Sequence, residues 1–169
     1  MKRRSFVLSA PALVIAAPAL AGRTKFPTYD GPPVTQVTID KTDRRLYLTS
    51  NGKVLKKYRI GLGFEPYGHK QFRGDGKTPE GLYTIDRRND NSRYHLSLGI
   101  SYPNRLDHEF ARAQGKHPGG DIFIHGQPVT AREKAAGRDW TAGCIAVTNR
   151  QMEEIYAMVE LETLVYIRH

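Results

Sequence analysis

The chain has 169 residues, with 26 Lys or Arg against 17 Asp or Glu, which gives a formal net charge of +9. This length suits one domain with a proper core, and the single cysteine excludes an internal disulfide framework. The basic balance favours anionic partners, with simple solubility as the alternative.

The first 21 residues have the layout of an export signal. A basic cluster at residues 2–4 precedes an apolar stretch from about Phe6 to Leu20, which is too short to span a bilayer comfortably as a helix. Ala-x-Ala sites at its end are the type that signal peptidase cleaves, and the paired arginines favour a twin-arginine signal over general secretion. We therefore predict an exported chain, in the periplasm or cell envelope, that meets little nucleic acid. Cleavage of the signal would remove Lys2, Arg3 and Arg4, and the formal net charge would fall from +9 to about +6.

Apolar alternation and turn signals in the remaining chain predict a mainly β domain with a few short helices. Alternation over residues 34–63 predicts three strands, with Asn51-Gly52 as a hairpin turn. Two helices are predicted from capping boxes, one opened by Thr130 and ended by Gly137, the other starting near Thr148, with Asn149 as a further candidate cap. Further strands are predicted at 81–85, within 94–103, at 122–124 and at 164–168, and residues 63–81 are predicted to be loop.

Cys144 lies in the stretch DWTAGCIAVTN and is either a small buried residue or a nucleophile. Gly143 before it permits a tight turn that exposes the next backbone N–H. A thiol with a pKa near 8.5 needs a base, and histidine is the usual one. Of the six histidines, His125 is best placed, because it ends a predicted strand and Gly126 follows it. An isolated histidine there could merely cap the strand, but together with Cys144 it is a candidate base.

Four sequence blocks occur in a fixed order, and together they resemble the L,D-transpeptidase family of peptidoglycan enzymes, with its YkuD-type catalytic domain. The blocks are GDGKTPEGLYTI (74–85), ISYPNRLD (100–107), GGDIFIHG (119–126) and TAGCIAVTN (141–149). The family's signature is a histidine followed by a small residue and then, about fifteen to twenty residues later, a Ser/Thr-His-Gly-Cys box. Ala142 departs from it, because many members have a second histidine there.

This resemblance implies a β-sandwich-like catalytic domain over residues 34–168. Cys144 would be the nucleophile and His125 its base, with the Gly126 carbonyl orienting the imidazole. The backbone N–H groups of Gly143 and Cys144 would form the oxyanion hole, and neither a metal nor a cofactor would be needed.

The implied reaction is acyl transfer on peptidoglycan stem peptides. Cys144 would attack the carbonyl of the third stem residue, at the L-centre of diaminopimelate. D-Alanine would be released, and the acyl group would remain on Cys144 as a thioester. An amine of a second stem would then complete a crosslink. Water as acceptor would make the protein an L,D-peptidase, and a lysine of an envelope protein would make it an anchoring or releasing enzyme.

Several weaker candidates for substrate binding remain. Tyr102 and Asn104 either line the cleft or fix a turn, Trp140 is either a cleft wall or core, and Thr141 lies in the cysteine box itself. Asp139 either steadies the loop that leads to Cys144 (residues 139–144, the cysteine loop) or has no role. Five arginines could bind stem carboxylates in a bidentate manner or form a solvated basic face: Arg87, Arg88, Arg93, Arg105 and Arg150.

Two rival classes stay open at this point. A zinc peptidase could use His117 and Asp121 of the HPGGD stretch, although a third ligand at a convincing spacing is missing. A wall-binding module without catalysis is the second rival. The sequence leaves the acyl acceptor and the oligomeric state undetermined.

Overall fold

The structure is a computed structural model, and it describes residues 26–169, so the predicted export signal at residues 1–21 lies outside the described residues. No helix within residues 26–169 is long and apolar enough to cross a membrane. The elements in chain order are β1 (Gln36–Asp40), β2 (Arg45–Ser50), β3 (Lys53–Arg59), β4 (Gly81–Ser92), β5 (His95–Ile100), α1 (Arg105–Ala113), β6 (Phe123–His125), α2 (Ala131–Ala135), β7 (Ile145–Ala146), α3 (Asn149–Met158) and β8 (Leu164–Arg168).

The strands form an eight-stranded sheet in the order β3-β2-β1-β8-β4-β5-β6-β7. The β1–β8 and β6–β7 pairs are parallel and the others are antiparallel. Strand β4 joins the two halves of the sheet, because its first four residues pair with β8 and those from Ile85 onward pair with β5. Alternate apolar side chains from both halves meet in one core. The predicted mainly β fold with a few short helices is confirmed.

Most predicted element signals correspond to real elements. Asn51 and Gly52 both have positive φ angles, 47° and 82°, as the hairpin turn requires. Thr130 and Thr148 are the N-caps of α2 and α3, each with the predicted capping box. The alternative that Asn149 caps α3 is wrong, because Asn149 is the first helical residue and its Oδ1 accepts the Gln127 N–H at 2.9 Å.

Helix α1 was not predicted from the sequence. Its N-cap is Asn104, and Asp107 at the third helical position completes the capping box. The usual capping box has Glu or Gln at that position, so the sequence with Asp107 does not match the signal that predicts a helix start. The short block SYPN thus contains a helix start in addition to a turn.

The predicted loop at residues 63–81 is held in place by a buried lysine. Lys41 is 1% exposed, and its Nζ donates to the Gly68 carbonyl (2.5 Å), the Thr78 carbonyl (3.0 Å) and Glu80 Oε1 (2.6 Å). A buried ammonium is tolerated when its donors are satisfied in this way. The loop contacts the cysteine box, because a Cβ built on Gly143 would lie 2.6 Å from the Lys77 carbonyl oxygen. It therefore forms a fixed wall behind the candidate site.

Candidate active site

The pairing of two short strands brings Cys144 and His125 to one cavity. His125 ends β6 and pairs in parallel register with Ala146 of β7, and Cys144 immediately precedes β7. The Val147 N–H donates to the His125 carbonyl at 2.9 Å, which extends the pairing. Both side chains line a cavity of about 270 Å³, together with Asn89, Ser92, Tyr94, Ser97, Asp121 and Phe123.

The imidazole of His125 has a defined hydrogen-bonding partner. The residue is 3% exposed, and its Nδ1 lies 2.8 Å from the Gly126 carbonyl oxygen. Because a carbonyl oxygen only accepts hydrogen bonds, Nδ1 carries the proton and Nε2 holds the lone pair in the neutral ring. Burial lowers the pKa of His125, which favours this neutral form. The orienting contact predicted for Gly126 is present in this geometry.

Two aromatic rings fix the orientation of the imidazole. Tyr94 stacks on it with ring centroids 4.6 Å apart, and Trp140 meets it edge-on at 5.5 Å. The Tyr94 hydroxyl donates to Glu133 Oε1 at 2.9 Å, and the other oxygen of that carboxylate accepts the N–H of Thr130, the N-cap of α2. A backbone hydrogen bond from Thr130 is the main cause that lowers the pKa of Glu133 to about 2. An ionised Glu133 thus links α2 to the ring that covers the base.

The thiol of Cys144 is protonated at rest. Its Sγ donates to the Asp121 carbonyl oxygen at 3.4 Å. Burial of the sulfur raises the pKa of Cys144 to about 11; the Asp121 carboxylate also raises it, while a backbone hydrogen bond from Phe123 and the charge of Lys70 act in the opposite direction. Since the thiolate is the reactive species, this cysteine needs a base at neutral pH.

The cysteine loop closes on itself through Thr141. The Thr141 hydroxyl donates to the Cys144 carbonyl at 2.8 Å and accepts the Gly143 N–H at 3.1 Å. The Gly143 amide thus has a hydrogen-bond partner inside the loop, and the oxyanion-hole roles of Gly143 and Cys144 stay predictions. Thr141 is 4% exposed and shapes this loop, and its contact with substrate likewise stays a prediction.

Asp139 anchors the start of the same loop. Its carboxylate accepts the Leu62 N–H at 2.9 Å and pairs with the Arg44 guanidinium at 2.9 Å. Arg44 follows β1, so the ion pair ties the loop to the opposite half of the sheet. Of the two alternatives for Asp139, the structure supports the one in which it steadies the cysteine loop.

Three other predicted substrate residues lie away from the cavity. Tyr102 is 4% exposed, and its hydroxyl donates to the Pro118 carbonyl at 3.0 Å. Asn104 caps α1, and the Arg150 side chain is 90% exposed beside Glu154. Tyr102 packs in the core, Asn104 caps the start of a helix and Arg150 is solvated, so the cavity geometry does not support their predicted contacts with substrate.

Tyr94 and Ser97 belong to the site but were missed in the sequence. Ser97 pairs with His125 across β5 and β6, and Tyr94 precedes β5. Both lie within the YHLSLGISYP stretch, which was predicted only to contain a strand. Their part in the site depends on strand register, which one sequence does not reveal.

Ala142 opens a second hollow beside the cysteine. It is exposed, and it lines a cavity of about 720 Å³ that also includes Phe64, Arg93, Arg132 and Trp140. Many family members have a histidine at the position of Ala142, so the methyl group leaves space on this side.

Residues 26–169 offer no set of ligands for the zinc peptidase alternative. Among residues 26–169, no three His, Cys, Asp or Glu side chains come together as a group able to hold a metal ion. The Nδ1 of His117 accepts the Gly119 N–H at 2.9 Å, so one of its two ring nitrogens is already engaged.

Comparison with known proteins identifies the family. Residues 35–167 match the model of the YkuD L,D-transpeptidase catalytic domain. YafK of Escherichia coli K12, which carries the name L,D-transpeptidase, is 33% identical over 135 residues, covering 76% of this chain and 48% of that protein.

Solved structures give the same result. The helical cell shape determining protein Pgp2 of Campylobacter jejuni has a TM-score of 0.62 at 32% identity, covering 83% of this chain and 49% of that one. Bd1075 of Bdellovibrio bacteriovorus has a TM-score of 0.57 at 25% identity, covering 80% and 48%. The chain thus spans about half the length of the relatives it matches.

The raised thiol pKa makes a testable prediction about reactivity. The rate of Cys144 alkylation by iodoacetamide should rise with pH towards about 11, because the thiolate is the nucleophile. Asp121→Asn should shift this profile to lower pH, since it removes a carboxylate that raises the pKa, and asparagine tolerates the positive φ of 55° at this position.

The matched control is Glu109→Gln, which removes one exposed carboxylate on α1 outside the cavity. It should leave the profile unchanged. Equal profiles for Asp121→Asn and the unmodified protein would contradict the electrostatic description of the thiol.

Proposed function

The chain belongs to the YkuD family of L,D-transpeptidase catalytic domains, and we propose that it is an exported cysteine acyltransferase acting on peptidoglycan stem peptides. The observation that carries this proposal is the cavity shared by His125 and Cys144. In it, the bond from Nδ1 to Gly126 leaves Nε2 as the only ring nitrogen able to accept a proton. The substrate class follows from the family.

The first half of the reaction forms a thioester. Nε2 of His125 accepts the thiol proton as Sγ of Cys144 attacks the carbonyl of the third stem residue, diaminopimelate. The S–C bond forms, the C–N bond to D-alanine breaks, and the proton passes from His125 to the leaving amine. In the second half, an amine attacks the thioester, a new C–N bond forms as the S–C bond breaks, and His125 passes the proton lost by the amine to the sulfur.

The electrostatics of the site support a neutral resting pair. Burial raises the thiol pKa and lowers the imidazole pKa, so a thiol beside a neutral imidazole is favoured over a thiolate beside an imidazolium. Proton transfer therefore accompanies the attack on the carbonyl. The thiol stays unreactive until substrate is bound, which suits a free cysteine in an oxidising compartment.

The acyl acceptor in this proposal is an amine, with water as the alternative. The hollow lined by Ala142 offers space near the cysteine box, and its lining contains two arginines, Arg93 and Arg132, and two carboxylates, Glu133 and Asp139. Charges of both signs suit an acceptor stem that carries both an amine and carboxylates. The same space admits water, which would make the protein an L,D-peptidase that releases stem residues or wall-anchored protein. An envelope protein lysine is a third acceptor of the same chemistry.

Location completes the proposal. Export by the signal at residues 1–21 would place the catalytic domain in the periplasm or cell envelope, where its substrate is found. The work of such an enzyme is crosslinking or remodelling of the cell wall. The relative Pgp2 is described as a helical cell shape determining protein, which supports an effect on cell shape here.

Loss of either catalytic residue should abolish the reaction. Cys144→Ser and His125→Ala should each reduce turnover of a tetrapeptide muropeptide by roughly a thousandfold or more, and the double variant should be no worse, because the two act as a unit. Mass spectrometry of the muropeptides measures this. His108→Ala, an exposed histidine on α1, is the control and should retain activity. Turnover retained by either single variant would contradict the assignment.

The acceptor is tested by adding nucleophiles. Tetrapeptide muropeptide is incubated with the mature protein alone, then with a second stem or a free D-amino acid. We expect amine-linked products to dominate when an amine is present, because amines attack thioesters more readily than water does. Tripeptide alone, unchanged by added amine, would overturn the transferase and leave a cysteine L,D-peptidase.

A further inference from the structure

The side chain of Arg87 extends from β4 across β5 towards the cavity that contains Cys144. Arg87 of β4 pairs with Gly99 of β5, and Gly99 pairs with Phe123 of β6, so the three residues lie side by side on neighbouring strands. A Cβ built on Gly99 would lie 2.8 Å from Arg87 Nε, which is closer than real Cβ contacts. Glycine at position 99 therefore leaves the room in which the Arg87 side chain lies across β5.

The guanidinium ends at the rim of the cavity. Its central carbon lies 4.8 Å from the centroid of the Phe123 ring, and Nη1 lies 3.4 Å from Asp121 Oδ1. Phe123 and Asp121 both line the cavity that contains Cys144. The two charged side chains remain open to a ligand, with 47% of Arg87 and 83% of Asp121 exposed.

Arg87 differs from the other four arginines proposed from the sequence. Arg88 donates to the carbonyls of Tyr156 and Val159, and Arg93 pairs with Glu133 at 3.5 Å. Arg105 pairs with Glu109 within α1, and Arg150 pairs with Glu154 within α3. Arg87 also pairs with Asp86, at 3.2 Å, and it is the one of these five whose ion pairs include a residue lining the cavity of Cys144, namely Asp121.

An adjacent cation and anion suit a ligand that carries both charges. A guanidinium binds a carboxylate through paired N–H donors, and a carboxylate binds an ammonium through charge-assisted hydrogen bonds. An α-amino acid head group carries these two charges on one carbon. We propose that Arg87 and Asp121 bind the zwitterionic head group that ends the side chain of the residue attacked by Cys144.

This inference rests on the proposed function, in which the attacked residue is diaminopimelate. Its side chain is three methylene groups that end in a second amino acid centre. Successive residues on one face of a strand are about 6.6 Å apart, which is the step from the His125 position to the Phe123 position of β6. In an extended diaminopimelate, the attacked carbonyl carbon and the distal α-carbon are about 6 Å apart, which is close to that step. The carbonyl can then lie at the thiol while the distal head group reaches Arg87.

The distal ammonium would also assist the chemistry. The Asp121 carboxylate raises the pKa of Cys144, and an ammonium bound to that carboxylate would offset its negative charge. A substrate with the ammonium would therefore meet a thiol that ionises more readily than the thiol of the free protein. Arg87 would bind the distal carboxylate, and Asp121 would bind the distal ammonium.

The test measures binding without turnover. Cys144→Ser protein is titrated by calorimetry with three tetrapeptides whose third residue is diaminopimelate, diaminopimelate amidated at its distal carboxyl, or lysine. We expect diaminopimelate to bind about tenfold more tightly than the other two, because only it has the distal carboxylate. Adding Arg87→Gln should erase that difference, and Asp121→Asn should weaken all three ligands, since each has the ammonium.

Arg105→Gln is the matched control, because it removes an arginine that lies outside the cavity and should keep the preference. Equal affinities for the three ligands, or an equal loss for all three in Arg87→Gln, would overturn the inference and leave a surface ion pair. Transfer by the unaltered protein is measured separately. If the protein catalyses transfer but does not distinguish the three third residues, only this inference is contradicted. If it processes no stem peptide at all, the proposed function is contradicted.

Discussion

The parallel pairing of β6 with β7 is the constraint on which the candidate site depends. These strands contain only three and two residues, yet they set the position of His125 against the start of β7, where Cys144 lies. Parallel neighbours need a long connection, and here α2 and the cysteine loop lie between them. The candidate nucleophile is thus positioned by a crossover whose ends are fixed by backbone hydrogen bonds.

The crossover itself is secured by side chains from distant parts of the chain. Asp139 ties it to Arg44 beyond β1, and Glu133 ties α2 to Tyr94 before β5. The first contact positions the cysteine loop, and the second holds the ring that stacks on the base. Together these contacts help to keep the thiol and the imidazole oriented within one cavity.

Local sequence signals predicted the fold better than they predicted the site's surroundings. Capping boxes, the Asn-Gly turn and strand alternation each report on a few neighbouring residues, and they gave correct helix starts at Thr130 and Thr148. The candidate catalytic pair, His125 and Cys144, was predicted from motif order and resemblance. The hydrogen bond from the Gly143 amide to the Thr141 hydroxyl could not be predicted, because it depends on the direction in which one backbone amide points. Arg87 was one of five equal candidates until register placed it opposite Gly99.

The central claim is that Cys144 forms a thioester with the stem peptide. Rapid quenching after mixing with tetrapeptide muropeptide, followed by mass spectrometry of the intact protein and its fragments, tests this most directly. We expect an adduct on the fragment that contains Cys144, with the mass of the donor acyl group without its terminal D-alanine, and we expect it to form more slowly in His125→Ala. Products released while no adduct on Cys144 is detected at any time point, together with turnover by Cys144→Ser protein, would contradict it.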